Sequence, residues 1–281
     1  MCGIINFEFF VDEAFMHPKY DTLLDILKNY DRVGICLSGG SGSALVAVAA
    51  VEALGAENVV AITANTPFFT GEELLSSKDL CKRLGVKLYV PNTNLLMNTE
   101  VVTNGPDRCY YCKKCMFDVV QKTAVELGIR VLLDGSCASP EHLAVQEDHN
   151  EKVLSELGIL CPLRMTGIER EDVYEIMNEL SMGYYLRPEN ACLATRVAPG
   201  EPITLKKIRW IRAAENYIHS LGYGLVRVRV RDGQARIEVA REDVADLMRQ
   251  REEVEVELRE MGFAEVVIDE EGYKREAASC L

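Results

Sequence analysis

The sequence predicts an α/β fold in which a parallel sheet, with helices between its strands, is followed by a smaller C-terminal α/β domain. Three observations lead there. From residue 32 to about residue 133, apolar runs of strand length alternate with stretches of helical periodicity, the pattern of βαβ units. Between the first apolar run and the first helical stretch stands Ser38-Gly39-Gly40-Ser41-Gly42-Ser43, where a strand should turn into a helix. After Pro202 the pattern changes to a long amphipathic stretch and then two alternating runs around Asp232-Gly233, a strong hairpin signal. The chain therefore divides into an N-terminal helical segment (1–30), the sheet domain (31–198) and the C-terminal domain (199–281).

With 281 residues the chain is long enough for two cores. Its 48% hydrophobic and 27% charged residues are those of an ordinary soluble protein. No apolar run approaches the roughly 18 residues of a membrane span. The start of the chain lacks the basic flank of a secretory leader, and its apolar residues are interrupted by Glu8, Asp12 and Glu13, so a cytoplasmic location is expected. A net charge of −13 argues against nucleic acid or an anionic membrane as partner. Ten cysteines in a reducing compartment point to metal or sulfur chemistry rather than a disulfide framework. Cys36, Cys81 and Cys161 lie in apolar or amphipathic settings and read as small buried hydrophobes.

In chain order, a helix over 20–30 covers the sheet. Strands are expected over 32–37, 59–64, 87–90 and 130–133, and helices over 44–54, 71–84 and 112–127, with Gly85 and Gly128 as stops. Ligands of open parallel sheets lie beyond the carboxyl ends of the strands. That makes Ser38, Gly39, Gly40, Ser41 and Ser43 a phosphate cradle, their backbone N–H groups aided by the positive end of the adjoining helix. Further on, Cys109, Cys112 and Cys115 recur every third residue beside Arg108, Lys113 and Lys114. Such cationic neighbours favour thiolates that are nucleophilic or ready for metal; the alternative is three thiols without metal. Asp134, beside Gly135 and Ser136, either holds a ribose or magnesium or caps the next helix.

The polar stretch to Glu151 reads as a loop, 159–164 as a strand and 169–180 as a helix, with Arg164 a phosphate ligand or a surface charge. A loop over 188–196 carries Cys192 and Arg196. In the last domain a helix over 205–221 precedes hairpin strands over 225–231 and 235–239, a closing helix over 242–261 and a strand over 265–268. Val226, Val228 and Val230 alternate with Arg227, Arg229 and Arg231, placing three guanidiniums on one face, suited to phosphate or simply solvated.

The glycine loop resembles the Ser-Gly-Gly-x-Asp-Ser signature of the ATP pyrophosphatases, the PP-loop superfamily with an adenine nucleotide alpha hydrolase-like sheet, and Gly42 stands where that signature has aspartate. Five segments then occur in the order seen in the LarE-type ATP-dependent sulfur transferases. They are Arg108-Cys109-Tyr110-Tyr111-Cys112-Lys113-Lys114, Asp134-Gly135-Ser136, Pro162-Leu163-Arg164, Ala191-Cys192-Leu193-Ala194-Thr195-Arg196 and Gly200-Glu201-Pro202-Ile203-Thr204. The resemblance spans about residues 20 to 270. It implies that ATP, with Mg2+, adenylates a carboxylate of a pyridinium biscarboxylate mononucleotide, and that sulfur displaces AMP, as in nickel-pincer nucleotide biosynthesis. In the branch it resembles, Cys109, Cys112 and Cys192 hold a [4Fe-4S] cluster with an exchangeable sulfide, leaving Cys115 extra. It also implies that Arg227 and Arg229 hold the substrate phosphate, with Arg196, Glu215, Glu238 and Asp246 nearby, and that the chain forms a homo-oligomer, a hexamer. The Gly42 departure predicts ATP binding with weak adenylation, and a gain in turnover for Gly42→Asp. The alternatives are a thiolase or amidase acting on another target, and a non-catalytic nucleotide- or cluster-binding relative.

Overall fold

The structure, a computed structural model, describes residues 17–138, 149–186 and 192–274. The readings of the N-terminal residues before His17, of most of the polar loop leading to Glu151, and of Pro188 to Ala191 lie outside them. Helix α1 (Pro18–Leu27) leads into strand β1 (Val33–Cys36), helix α2 (Ser41–Leu54), strand β2 (Val59–Ile62), helix α3 (Glu72–Leu84) and strand β3 (Lys87–Tyr89). A short helix α4 (Thr99–Val102), helix α5 (Arg108–Glu126) and strand β4 (Val131–Asp134) come next. The four strands form a parallel sheet in the order β3-β2-β1-β4. Every residue of β1 and β2 is buried, as expected of parallel strands covered on both faces.

One face is covered by α1 through Tyr20, Leu23 and Leu27, by α2, and by α8 (Arg170–Glu179) through Val173, Ile176 and Met177. Helix α2 is apolar around most of its circumference, with Ser43 to Ala50 buried without interruption, so it forms the middle of this layer. The opposite face is covered by α5 through Val120 and Ala124 and by α6 (His149–Leu157) through Leu154. Two expectations change here. The stretch 159–164 is not a strand: only Leu160 bridges Leu133, and Pro162 opens a short helix α7 (Pro162–Met165), a first-turn position where its missing N–H costs nothing. Helix α5 begins at Arg108 rather than near Cys112, so Cys109, Cys112 and Cys115 are all helical.

The later elements are α9 (Leu205–Ser220), β5 (Val226–Arg231), β6 (Gln234–Val239), α10 (Val244–Arg249), α11 (Arg251–Glu260) and β7 (Glu265–Ile268). β5 and β6 are the expected hairpin, closed by Asp232 (φ 50°) and Gly233 (φ 81°), the left-handed pair a two-residue turn requires. β7 joins β6 in parallel, giving the order β5-β6-β7. Ile208, Ile211, Ala214 and Ile218 form the buried stripe of α9, which packs on β5. The single closing helix expected over 242–261 is two, α10 and α11, separated at Gln250.

The chain folds into two compact units. One holds the four-stranded sheet and its helices; the other holds Thr66–Thr70, Asn94–Lys113 and the chain from the Cys192 turn onward. Among the described residues no helix is long and apolar enough to cross a membrane.

Candidate functional site

At the end of β1, Gly39 turns with φ 82° and Gly40, in extended backbone, is the N-cap of α2 with no side-chain cap. A helix leaves its first N–H groups without intrahelical acceptors, so this end offers donors and a positive dipole. Ser43 fixes the loop from inside: its hydroxyl donates to the Gly40 carbonyl at 3.0 Å, lies 3.1 Å from the Ser38 hydroxyl and accepts from the Ser38 N–H at 3.3 Å. A Cβ on Gly39 would stand 2.4 Å from the Glu73 carbonyl oxygen, so the loop is also packed against the start of α3. Ser38, Gly39, Gly40, Ser41 and Ser43 are thus brought together as one backbone-lined turn.

Asp134 ends β4 level with Cys36 of β1. Its Oδ1 accepts from the Ser136 N–H at 2.9 Å and from the Ser136 hydroxyl, which in turn accepts from Asn150. The carboxylate therefore braces its own turn. Beside it lies Gly42, which stands where the signature it resembles has aspartate. A Cβ there would stand 2.2 Å from the Gly135 carbonyl oxygen, and a Cβ on Gly135 would stand 2.2 Å from the Ser43 nitrogen. Both obstacles are backbone. The first turn of α2 and the turn after β4 meet without side chains, so an aspartate at 42 requires one of them to move.

The segments that carry Cys109, Cys112 and Cys192 belong to the second unit. Cys109 and Cys112 lie one turn apart on α5, Cys109 buried and Cys112 half-buried, and Cys115 lies a turn further on. The Arg108 guanidinium donates to the Cys109 sulfur at 3.1 Å. Cys192 is the N-cap of a short 3₁₀ turn, Leu193–Arg196. Asn104 joins these segments. Its amide donates to the carbonyls of Val197 (3.3 Å) and Ala198 (2.8 Å), and its oxygen accepts from Arg108 at 2.7 Å. It is 3% exposed and sits at φ 58°, a backbone that asparagine tolerates better than most residues. Asn104-Gly105 was visible in the sequence as a turn signal, but its partners nearly a hundred residues away were not.

Arg196 is buried. Its Nε–H donates to Glu215 at 2.9 Å, and its Nη1 group donates to the Cys192 carbonyl at 3.2 Å and the Thr195 hydroxyl at 3.1 Å. Glu215 also accepts from the Val228 N–H at 3.0 Å, so this pair links the Cys192 turn, α9 and β5. The three arginines of β5 do not form a uniform comb: Arg227 is buried, Arg229 half-buried and Arg231 exposed. Arg227 donates to the Val226 carbonyl at 2.8 Å and lies 5.5 Å over the Tyr273 ring, and burial, with Arg196 nearby, lowers its pKa. Arg229 donates to Glu238 Oε1 at 2.7 Å, while Glu238 Oε2 is buried with no hydrogen-bond partner among the described residues. Asp246 is not drawn into this group; it is exposed on α10 with Tyr223, Arg249 and Gln250 as partners. Of the three cysteines expected to be buried, Cys36 and Cys81 are, and burial pushes the Cys81 thiol up to about 12 and Cys36 well above the usual thiol range, whereas Cys161 is half-buried.

A family model described as NAD synthase matches residues 21–100, which take in β1, the glycine loop and α2. Over nearly its whole length the chain is similar to the pyridinium-3,5-bisthiocarboxylic acid mononucleotide synthase of Lactiplantibacillus plantarum, at 30% identity over 266 residues, 93% of this chain and 94% of the other. An uncharacterized protein of Synechocystis sp. is 32% identical over 263 residues, 92% of this chain and 96% of that one. A short match of 61 residues at 39% identity, 22% of this chain and 11% of the other, is to the glutamine-dependent NAD(+) synthetase of Thermotoga maritima. The first two matches are long enough to include the cysteine and arginine segments as well as the glycine loop.

Proposed function

Because the chain belongs to the pyridinium-3,5-bisthiocarboxylic acid mononucleotide synthase family of ATP-dependent sulfur transferases, we propose that it activates a carboxylate of a pyridinium mononucleotide with ATP and exchanges the AMP for sulfur. The observation that best supports this is the bonding of Asn104 to Arg108 and to Ala198, whose own N–H donates to Val230, since one chain of bonds then ties both cysteine segments to the arginine strand. The two half-reactions have separate needs. In the first, a substrate carboxylate oxygen attacks the α-phosphorus of ATP and pyrophosphate leaves. The glycine loop serves this step by holding the departing phosphates on N–H groups; Asp134, the carboxylate at the neighbouring strand end, would hold a Mg2+ ion, which would supply charge neutralisation. In the second, sulfide attacks the acyl carbon and AMP leaves with the bonding electrons. Adenylation is what makes that attack feasible, because a free carboxylate resists nucleophiles and an acyl-adenylate does not.

Arg227 and Arg229 serve as phosphate ligands of the mononucleotide, held at the fixed spacing of a strand. The unsatisfied Glu238 Oε2 adds an acceptor, suited to a ribose hydroxyl, that would relieve about 1–3 kcal/mol of uncompensated burial. Among the described residues no three His, Cys, Asp or Glu side chains converge as a single metal ion requires. A cluster asks instead for one thiolate per iron. Cys109 beside its guanidinium donor, Cys112 one turn on and Cys192 are of that chemistry. These three would hold a [4Fe-4S] cluster, which would supply the sulfide for the second half-reaction. A reducing, cytoplasmic setting suits such thiolates. The proposal includes a homo-hexamer, which light scattering on the eluted protein tests.

The decisive experiment is anaerobic incubation with ATP, Mg2+, sulfide and pyridinium-3,5-biscarboxylic acid mononucleotide. Substrate-dependent pyrophosphate release together with a thiocarboxylate product by mass spectrometry is the expected result. Pyrophosphate release without sulfur incorporation would favour a relative acting on another acceptor; no release would exclude adenylation of this substrate.

A further inference from the structure

Arg108 opens α5 and is 7% exposed. The amino end of a helix is where a cation is least favoured, because the unpaired N–H groups and the dipole are positive there. The first turn of α5 nonetheless carries no acidic residue, and Asp107 just before it is exposed. The groups of these turns most readily made anionic are the sulfurs of Cys109 and Cys112.

The guanidinium divides its donors between the two cysteine-bearing segments. Its Nη2 group donates to the Cys109 sulfur at 3.1 Å. Its Nη1 group donates to Asn104 Oδ1 at 2.7 Å and to the Ala194 carbonyl, two residues past Cys192, at 3.2 Å. With both Nη1 hydrogens so engaged, the planar fork holds its Nη2 group on the sulfur. Every one of these residues lies in the second compact unit. Joining the segments does not by itself call for a buried charge, whose desolvation is costly, because the Asn104 amide already bonds the carbonyls of Val197 and Ala198. What the arginine adds is a cationic N–H aimed at a sulfur.

We infer that Arg108 is a positioning residue that fixes the Cys109 sulfur against the Cys192 turn and, through its N–H···S bond, tunes the iron bound there. The inference rests on the proposed function, which makes Cys109 and Cys192 cluster ligands. A hydrogen bond to a ligand sulfur stabilises the more negative, reduced form of a cluster more than the oxidised form, so this bond raises the reduction potential. The test uses full-length wild type, Arg108→Met, Arg108→Lys and Asn104→Gly, each reconstituted anaerobically with iron and sulfide. Mediated electrochemical titration reads the potential, and loss of visible absorbance to an iron chelator reads cluster retention. Arg108→Met should assemble a cluster that is reduced at lower potential and is lost to the chelator about tenfold more readily, the lower end of what removing an outer-shell partner costs. Arg108→Lys keeps a cationic donor and should recover part of the potential. Asn104→Gly keeps the left-handed backbone but removes the acceptor for Nη1, and should lower the potential less than Arg108→Met does. A purely structural role would change how much cluster assembles without moving the potential of what does. Equal potentials in the wild type and Arg108→Met overturn the inference alone. If Arg108→Met assembles nothing, wild-type potentials in both other variants overturn it, and a lowered potential in either supports it. A wild type that assembles no cluster removes the cluster from the proposed function and this inference with it.

Discussion

Gly42 matters through what its hydrogen permits. With the Gly135 carbonyl where its Cβ would be, both Gly42→Ala and Gly42→Asp should cost about 1–3 kcal/mol of folding stability, the usual range for overpacking, and weaken ATP binding by displacing the loop, even though alanine is the better helix former. Calorimetric titration with ATP measures this; a Gly42→Asp protein that binds ATP normally and turns over faster would show that the two backbones separate easily. The sequence displayed the absence of aspartate but not the obstacle to it, because Gly135 lies in the turn after another strand, β4, and only the fold brings it to position 42. The arginines of β5 give a similar lesson. Their alternation with valine was legible from the period of two, whereas their graded burial depends on Tyr273 and Glu238, which come from elsewhere in the chain. Arg229→Ala is expected to weaken mononucleotide binding by about 1.5–3 kcal/mol and leave ATP affinity unchanged. An equal loss for a substrate without its phosphate would assign Arg229 to another ligand group.

Among the elements, α1 is fastened to α8 by charge. Lys19 donates to Asp172 at 2.5 Å and His17 Nε2 lies 3.2 Å from the same carboxylate. Burial would raise the Asp172 carboxyl, but the bonds from Lys19 and from the Glu169 N–H outweigh it and hold it below the usual range. A depressed folded pKa contributes stability that is complete above the unfolded value, about 3.9, and is lost as pH falls through the folded one. Acid titration of Tm should show this loss in the wild type and a smaller one in Asp172→Asn, which at neutral pH should cost only about 0.2–1 kcal/mol because the pair is partly exposed. Element types were mostly readable from periodicity, and the errors have local reasons. Pro162 begins a helix where an apolar run suggested a strand, and α5 extends back to Arg108 because Gly105 and Asp107 supply carbonyl acceptors for its first turns.

For the molecule as a whole, the anaerobic protein should contain about four irons and four sulfides per chain. Cys109→Ala, Cys112→Ala and Cys192→Ala should each remove them and Cys115→Ser should not; colorimetric iron and sulfide assays decide, and loss in Cys115→Ser alone would put that residue among the ligands. The way the chain is shared between its compact units has a further consequence, for the gene. The second unit takes Thr66–Thr70 and Asn94–Lys113 from the middle of the sequence as well as the C-terminal stretch, so no single cut yields it whole. Residues 199–281 expressed alone would lack Asn104, Arg108 and the Cys192 turn, and should give a near-UV circular dichroism spectrum without fixed aromatic signals. Shuffling of exons or fusion of a C-terminal piece to another ATP-binding domain would therefore not transmit this site. A homologue lacking either the Thr66–Thr70 or the Asn94–Lys113 segment should have lost the sulfur chemistry while retaining the nucleotide loop.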